Sequence, residues 1–281
     1  MAHSACMRFE ERWQHGAQRH IRHRVRAIFL SDVHLGSHFS KSEQLLDFLR
    51  QHDAQSIYLV GDIVDGWRLR SRWHWPKTHN DVIRELFAAA QRGTRIVYLP
   101  GNHDAFARDY PGIHFAGIEV VDQVIHIAAD GRRYVVTHGD RLDRMTQVPH
   151  RIVAIGVRLN AILFALSDSW NRLLLALGLP GWSLSKWARH RVKRGVDYLG
   201  AFERQITQLA VAYDACGVIC GHVHHAAMHE RGGVLYINCG DWLDSCTAVI
   251  ERFDGSFEIK TWMDGRSTSS RAAPLGELQE A

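Results

Sequence analysis

The sequence predicts an α/β (α+β) protein in which two sheets pack together and helices flank them. Three observations predict it. Apolar runs alternate with helical stretches over the first hundred residues, and short strands with tight turns take over after residue 118. Most telling, five apolar runs end on possible metal ligands: Asp32-Val-His34, Gly61-Asp62, Gly101-Asn102-His103-Asp104, Thr137-His138-Gly139-Asp140 and Gly221-His222-Val223-His224. Strands far apart in the chain that all finish this way point to one shared site at their carboxyl ends, where open α/β sheets collect ligands.

Taken in order, Ala27-Ile28-Phe29-Leu30 opens a strand over 27–31, and a helix follows from Lys41 to His52, with Leu45, Leu46 and Leu49 at helical spacing. A strand at 56–60, a Trp-rich loop (Trp67, Trp73, Trp75), a helix from Asn80 to Gln91 and a strand at 95–99 come next. Two successive strand–helix–strand crossovers imply parallel pairing. Beyond them, strands are expected at 118–128 and 133–137 around Asp130-Gly131, then at 216–220, 234–238, 247–252 and 257–262, with Gly232-Gly233 and Asp254-Gly255 as hairpin turns.

Residues 141–212 interrupt this pattern with helical material and are expected as a cap inserted into one domain spanning 27–262. Ile152, Ile155, Leu159, Ile162, Leu166, Trp170, Leu173 and Leu177 step by three or four, and Leu163, Phe164, Leu174 and Leu175 widen that stripe. A core-facing helix fits the stripe, as does a wall for an acyl chain or a membrane surface. Residues 1–26 are expected as a basic N-terminal extension and 263–281 as a C-terminal tail.

Composition narrows the class. The apolar fraction of 46% over 281 residues is ample for a large core. No run reaches the roughly 18 to 20 apolar residues of a membrane span, and the first 26 residues hold no apolar segment of a secretory signal. A cytoplasmic location is expected, with a peripheral seat on the inner membrane left open. Five cysteines without zinc-knuckle spacing read as core residues of a reduced protein. Net charge is only +4, yet Arg141 to Arg194 holds ten Lys or Arg against two acids, which suits an anionic partner. Within it, Arg191, Lys193 and Arg194 are candidate substrate contacts, and a solvated helix face fits them equally.

Asp, His and Asn without thiolate suit manganese, iron or zinc in a catalytic role. Asp32 and His34, one residue apart just beyond a strand, can serve one ion. Asp62 has two carboxylate oxygens and is the natural bridge to a second, served by Asn102, with His138, His222 and His224 completing the imidazoles. Two close ions make hydroxide available near neutral pH and offset the charge of a phosphoester. His103 can protonate a leaving oxygen, while Asp65, Asp104 and Asp140 are expected to orient imidazoles.

At these residues the sequence resembles the calcineurin-like metallophosphoesterase superfamily, with its D-x-H, G-D, G-N-H-[DE], H and G-H-x-H motifs in order. The resemblance spans Ala27 to Trp262 and implies a four-layer αββα sandwich around two divalent ions, usually manganese. It implies that Asp32, His34, Asp62 and His224 hold the first ion and Asp62, Asn102, His138 and His222 the second, with His103 near the leaving group. Ser31–Gly36, Gly61–Trp67, His138–Asp143, Trp182–Lys186 and Tyr236–Trp242 are most similar to the family of UDP-2,3-diacylglucosamine diphosphatases of lipid A biosynthesis. That likeness implies hydrolysis of the pyrophosphate to UMP and an acylated sugar 1-phosphate, with a helical cap receiving the acyl chains. One position departs: this chain has His103 where that branch carries Arg after the Asn.

The expected partner is thus an acylated nucleotide sugar at a membrane surface rather than nucleic acid; the oligomeric state is left open. Two other readings stand beside it: a phosphodiesterase or phosphatase for another phosphorylated metabolite or nucleic acid, and a non-catalytic metal-stabilised interaction module.

Overall fold

A computed structural model describes residues 22–112, 114–115, 117–142, 184–263 and 266–271. Strands β1 (His23–Leu30), β2 (His52–Val60) and β3 (Arg95–Leu99) alternate with helices α1 (Ser42–Gln51), α2 (Gly66–Ser71) and α3 (Lys77–Gln91). Then come β4 (His114–Phe115), β5 (Ile118–Val120), β6 (Gln123–Ile127), β7 (Arg133–Thr137), α4 (Leu184–Ala212), β8 (Gly217–Cys220), β9 (Ala227–Arg231), β10 (Val234–Asn238), β11 (Thr247–Glu251), β12 (Phe257–Met263) and β13 (Arg266–Arg271).

The strands form two mixed sheets, ordered β13-β12-β11-β1-β2-β3-β5-β4 and β6-β7-β8-β10-β9. As the crossovers predict, β1, β2 and β3 pair in parallel. Three apolar clusters glue the layers. Ile28, Leu30, Ile57 and Ile96 on the outer face of the large sheet meet Leu45, Phe48 and Leu49 of α1 and Val82 and Leu86 of α3. Ala27, Phe29, Tyr58, Val60, Val97 and Leu99 on the inner face meet Tyr134, Val136, Ile219 and Ile237 of the small sheet. The other face of the small sheet packs Val135, Val218 and Tyr236 against Phe202, Ile206 and Ala210 of α4. The alternation along β1, with Ala27 and Phe29 facing one way and Ile28 and Leu30 the other, is what a strand buried on both sides produces. The result is an αββα sandwich.

Several segments differ from expectation, each for a local reason. β1 begins at His23, inside the stretch expected as an extension, because its exposed polar start carries no apolar signal. The Trp-rich loop contains α2, nucleated when the Asp65 carboxylate accepts from the Arg68 amide at 3.0 Å. β9 mixes half-buried and exposed residues and so shows no alternation. β13, in the stretch expected as a tail, reads Arg-Ser-Thr-Ser-Ser-Arg, the polar composition that protects an edge strand. The last turns of α4 form the outer layer over the small sheet although they belong to the region expected as an insert. The stripe at 152–177 lies outside the described residues.

Candidate metal centre

The five ligand-bearing blocks meet at the carboxyl ends of β1, β2, β3, β7 and β8. Their loops are sewn together by backbone bonds: Asp32 N to Gly61 O (3.0 Å), His34 N to Asp62 O (2.9 Å), Gly221 N to His138 O (3.2 Å) and Trp242 N to Asp32 O (3.0 Å). Asp32, His34, Asp62, His222 and His224 all sit at φ between 51° and 74°. These are five of the seven non-glycine residues with positive φ among the described residues. Such conformations cost about 1–3 kcal/mol each and persist where surrounding structure imposes them.

Glycine supplies the space for this convergence. A Cβ on Gly61 would lie 2.3 Å from His138 Nδ1, one on Gly101 2.3 Å from Asp62 Oδ1, and one on Gly221 2.7 Å from Asp32 Oδ2. The glycines of the G-D, G-N-H-D and G-H-x-H blocks are therefore required by close packing of the ligand side chains themselves.

Three sets of donor atoms lie within 4.8 Å of one another: Asp32, His34 and His224; His34, Asp62 and His103; Asp32, Asp62 and His138. Asp32 and Asp62 each occur in two sets. Asp62 Oδ2 stands 3.8 Å from His34 Nε2 and 3.6 Å from His138 Nε2, and Asp32 Oδ1 is 3.1 Å from His224 Nε2. His222 is outside these sets; its amide donates to Asp32 Oδ2 at 3.0 Å and its ring centroid is 5.3 Å from that of His138.

Several of the atoms that would face an ion are left unpaired, as are Arg22 Nη1, Tyr134 Oη and Trp242 Nε1 elsewhere among the described residues. His34 Nε2, Asn102 Oδ1 and His138 Nε2 are buried without a hydrogen-bond partner and Asp32 Oδ1 has only His224 beside it, whereas buried polar atoms are nearly always paired. Three orphaned donors on three loops, together with the Asp32 carboxylate, fit a divalent cation. His138 makes the point on one ring: Nδ1 is taken up by Val60 O at 2.8 Å, leaving Nε2 for the centre. Burial opposes charge on that ring, but Asp62 and Asp32 prevail and raise its pKa to about 10. Burial likewise opposes charge on Asp62, and His138, His103 and His34 outweigh it, so the carboxyl is held well below its ordinary range. Asp32 is lowered in the same way, against its own burial, by His224 and His138.

Around this centre the three expected orienting carboxylates separate. Asp65 does orient imidazoles: its Oδ1 is 3.0 Å from His103 Nδ1 and its Oδ2 3.5 Å from His34 Nδ1. Asp104 instead holds backbone, accepting from the amides of Asp62 (3.2 Å), Ile63 (2.7 Å) and Gly101 (2.6 Å) and from the Tyr98 hydroxyl (2.5 Å). It thereby shapes the G-D loop, as a buried acceptor surrounded by amides must. Asp140 takes a bidentate Arg108 at 2.9 and 2.7 Å. Arg108 also donates to Pro100 O at 2.6 Å, bridging the Asn102 and His138 loops. Nothing in the sequence around Arg108 signals that role.

His103 lies at the rim. Its ring stacks on Trp67 with centroids 3.8 Å apart and meets His34 edge-on at 4.5 Å. Its Nε2 points inward, 3.9 Å from Asp62 Oδ2.

The family profile of calcineurin-like phosphoesterases matches residues 25–226, well over half of the chain. The chain belongs to that family. Its members use divalent metals for hydrolysis, and the donor set of this phosphoesterase fits that use. Among curated relatives, the UDP-2,3-diacylglucosamine hydrolase of Neisseria gonorrhoeae is 27% identical over 82% of this chain and 94% of its own length. The enzyme of the same name from Haemophilus ducreyi is 23% identical over 82% of this chain and 97% of its own. Among solved structures, the phosphoesterase YfcE of E. coli aligns over 88% of this chain at 15% identity with a TM-score of 0.46. Vps29 of Entamoeba histolytica, complexed with zinc, aligns over 88% at 13% identity with a TM-score of 0.45.

The candidate substrate contacts Arg191, Lys193 and Arg194 fall on the backbone of α4 in this phosphoesterase. Cys220, Cys239 and Cys246 are buried and free, and Cys216 is free and exposed. His79 and His126 are both buried. His79 is bonded to the Gly36 amide at 3.1 Å and His126 to Glu251 at 2.8 Å.

Proposed function

We propose that this phosphoesterase hydrolyses the pyrophosphate bond of UDP-2,3-diacylglucosamine, producing UMP and 2,3-diacylglucosamine 1-phosphate for lipid A biosynthesis. The observation that carries the reading is the near end-to-end match to relatives bearing that activity in their names, on a chain whose convergent donors are unspent.

In this reading Asp32, His34, Asp62 and His224 would hold one manganese ion and Asp62, Asn102, His138 and His222 the other. When bound, such a pair activates water and neutralises phosphoryl charge. Water adds its oxygen to the α-phosphorus and gives up a proton to solvent, the bond from that phosphorus to the bridging oxygen breaks, and the bridging oxygen leaves with the sugar phosphate. His103, with Nδ1 occupied by Asp65 and Nε2 facing the centre, donates from Nε2 to the leaving side. Asp62 accepts from the His103 amide at 2.8 Å, tying bridge and rim together. Arg191, Lys193 and Arg194 serve substrate phosphates, and the enzyme works at the cytoplasmic face of the inner membrane.

A second reading, a phosphodiesterase or phosphatase for another metabolite, is favoured by His103, the general superfamily residue at a position where the diphosphatase branch carries arginine. One experiment separates them: purified protein with manganese is given UDP-2,3-diacylglucosamine beside a simple diester, and products are followed by phosphorus NMR. UMP and the acylated sugar 1-phosphate are expected. Cleavage of the diester with the lipid nucleotide left intact would establish the second reading instead.

A further inference from the structure

We propose that α2 and the loop after it, Gly66 to Asn80, dock the enzyme on an anionic lipid bilayer. The choice of a bilayer over nucleic acid rests on the acylated substrate proposed above; the surface itself rests on the following observations.

From Gly66 to Asn80 the chain carries three Trp and four Lys or Arg, and no carboxylate. None of the residues of α2 is buried, although a helix in a packed fold normally commits a face to the core. Trp73 is 73% exposed, and Phe39, beside it in chemistry and with the Arg68 guanidinium 5.4 Å from its ring centroid, is 63% exposed.

Of the four cations here, Arg68 is held by Asp65 at 3.3 Å, and many arginines elsewhere on the molecule are likewise neutralised by acids. Arg26 is paired with Glu251, Arg95 with Glu119, Arg132 with Asp130 and Arg252 with Glu258. Arg70, Arg72 and Lys77 are exposed and, among the described residues, form no ion pair. Three unneutralised cations beside the exposed Trp73 indole, with Trp67 and Trp75 half-buried in the same stretch, form a composition that partitions into an anionic interface, the charge meeting headgroups and the ring sitting at their level.

This surface is also bolted to the catalytic end. Asp65 caps α2 while holding His103, and Trp67 stacks on the His103 ring at 3.8 Å. A bilayer against Arg70, Arg72 and Trp73 therefore lies alongside the rim of the metal centre, where a lipid-linked diphosphate has to be presented.

The test is co-sedimentation of the full chain with vesicles of phosphatidylethanolamine containing about one-third phosphatidylglycerol, compared with pure phosphatidylcholine. Wild type is expected to pellet with the anionic vesicles only. The double variant R70Q/R72Q is expected to bind about 30-fold more weakly, from about fivefold per cation, and Trp73→Ser to weaken binding further. Both variants are expected to keep wild-type hydrolysis of a soluble diester. The proposal is overturned if the double variant pellets as well as wild type, or if wild type ignores anionic vesicles but binds single-stranded DNA in a salt-sensitive manner. Wild type that turns over the lipid nucleotide in detergent yet stays in the supernatant also overturns it, and leaves the substrate reading standing. Wild type that pellets but cannot cleave the lipid nucleotide supports the docking surface and sinks the substrate reading alone.

Discussion

Two buried polar clusters occupy opposite ends of the same sheets. At the amino-terminal end, Glu251 accepts from Arg26 (2.5 Å), His126 (2.8 Å) and the Ala129 amide (2.8 Å), and His126 meets the Tyr58 hydroxyl at 3.0 Å. At the carboxyl end, His34, Asn102 and His138 each keep a buried atom without a hydrogen-bond partner, and Asp32 and His34 hold left-handed backbone. Both clusters contain acids and histidines shielded from water. The difference teaches that saturation marks a structural cluster, whereas unmet donors and imposed strain mark one built to receive something.

The contrast breaks most sharply at Asp62. Asp62→Asn keeps the shape but gives up the bridge between donor sets, so manganese-dependent turnover is expected to fall by more than about 100-fold, beyond what loss of an outer partner costs. Turnover rate and metal content by mass spectrometry check it; a variant with both unchanged would erase the distinction. Glu251→Ala should do the reverse. Stripping the acceptor from Arg26 and His126 is expected to cost about 3 kcal/mol in a denaturant titration while metal stoichiometry stays at the wild-type value.

Metal itself sharpens the comparison. Manganese at a hundredfold excess over its dissociation constant is expected to stabilise the protein by about 2.7 kcal/mol, a gain that chelator removes. Because Asp62 and Asp32 hold His138 protonated up to about pH 10 in the metal-free protein, binding must expel that proton. Affinity should therefore strengthen as pH rises towards 10, with proton release visible by calorimetry in buffers of different ionisation heat.

The smallest effect is expected at His52, buried and bonded to Phe48 O at 2.7 Å. Burial first, then Lys260 and His23, lower its pKa to about 4. The unfolded chain then takes up this proton before the folded one does, so stability present above pH 6.5 is lost as pH falls towards 4. His52→Asn should flatten that part of the pH–stability curve without touching metal binding.

What was legible in the sequence follows the same divide. Buried parallel strands are unbroken apolar runs, so β2, β3, β7, β8 and β10 and the ligand blocks at or near their ends could be read directly. β9 and β13 could not, since edge strands carry polar residues and no alternation. The orienting role of Asp65 was legible from its place beside the G-D block, whereas Asp104 and Asp140 act on backbone and on Arg108 through contacts that only the folded chain creates. Helix α2 escaped notice because its six residues bury nothing and so leave no periodic trace.

The left-handed backbone at Asp32, His34, Asp62, His222 and His224 sets a limit on engineering this enzyme for heat tolerance. Glycine is the substitution that would relax those positions, and at Asp32, His34, Asp62 and His224 it would delete a side chain of the convergent donor sets. Robustness and activity compete there residue for residue. Durable variants will have to be sought in the helices and edge strands instead.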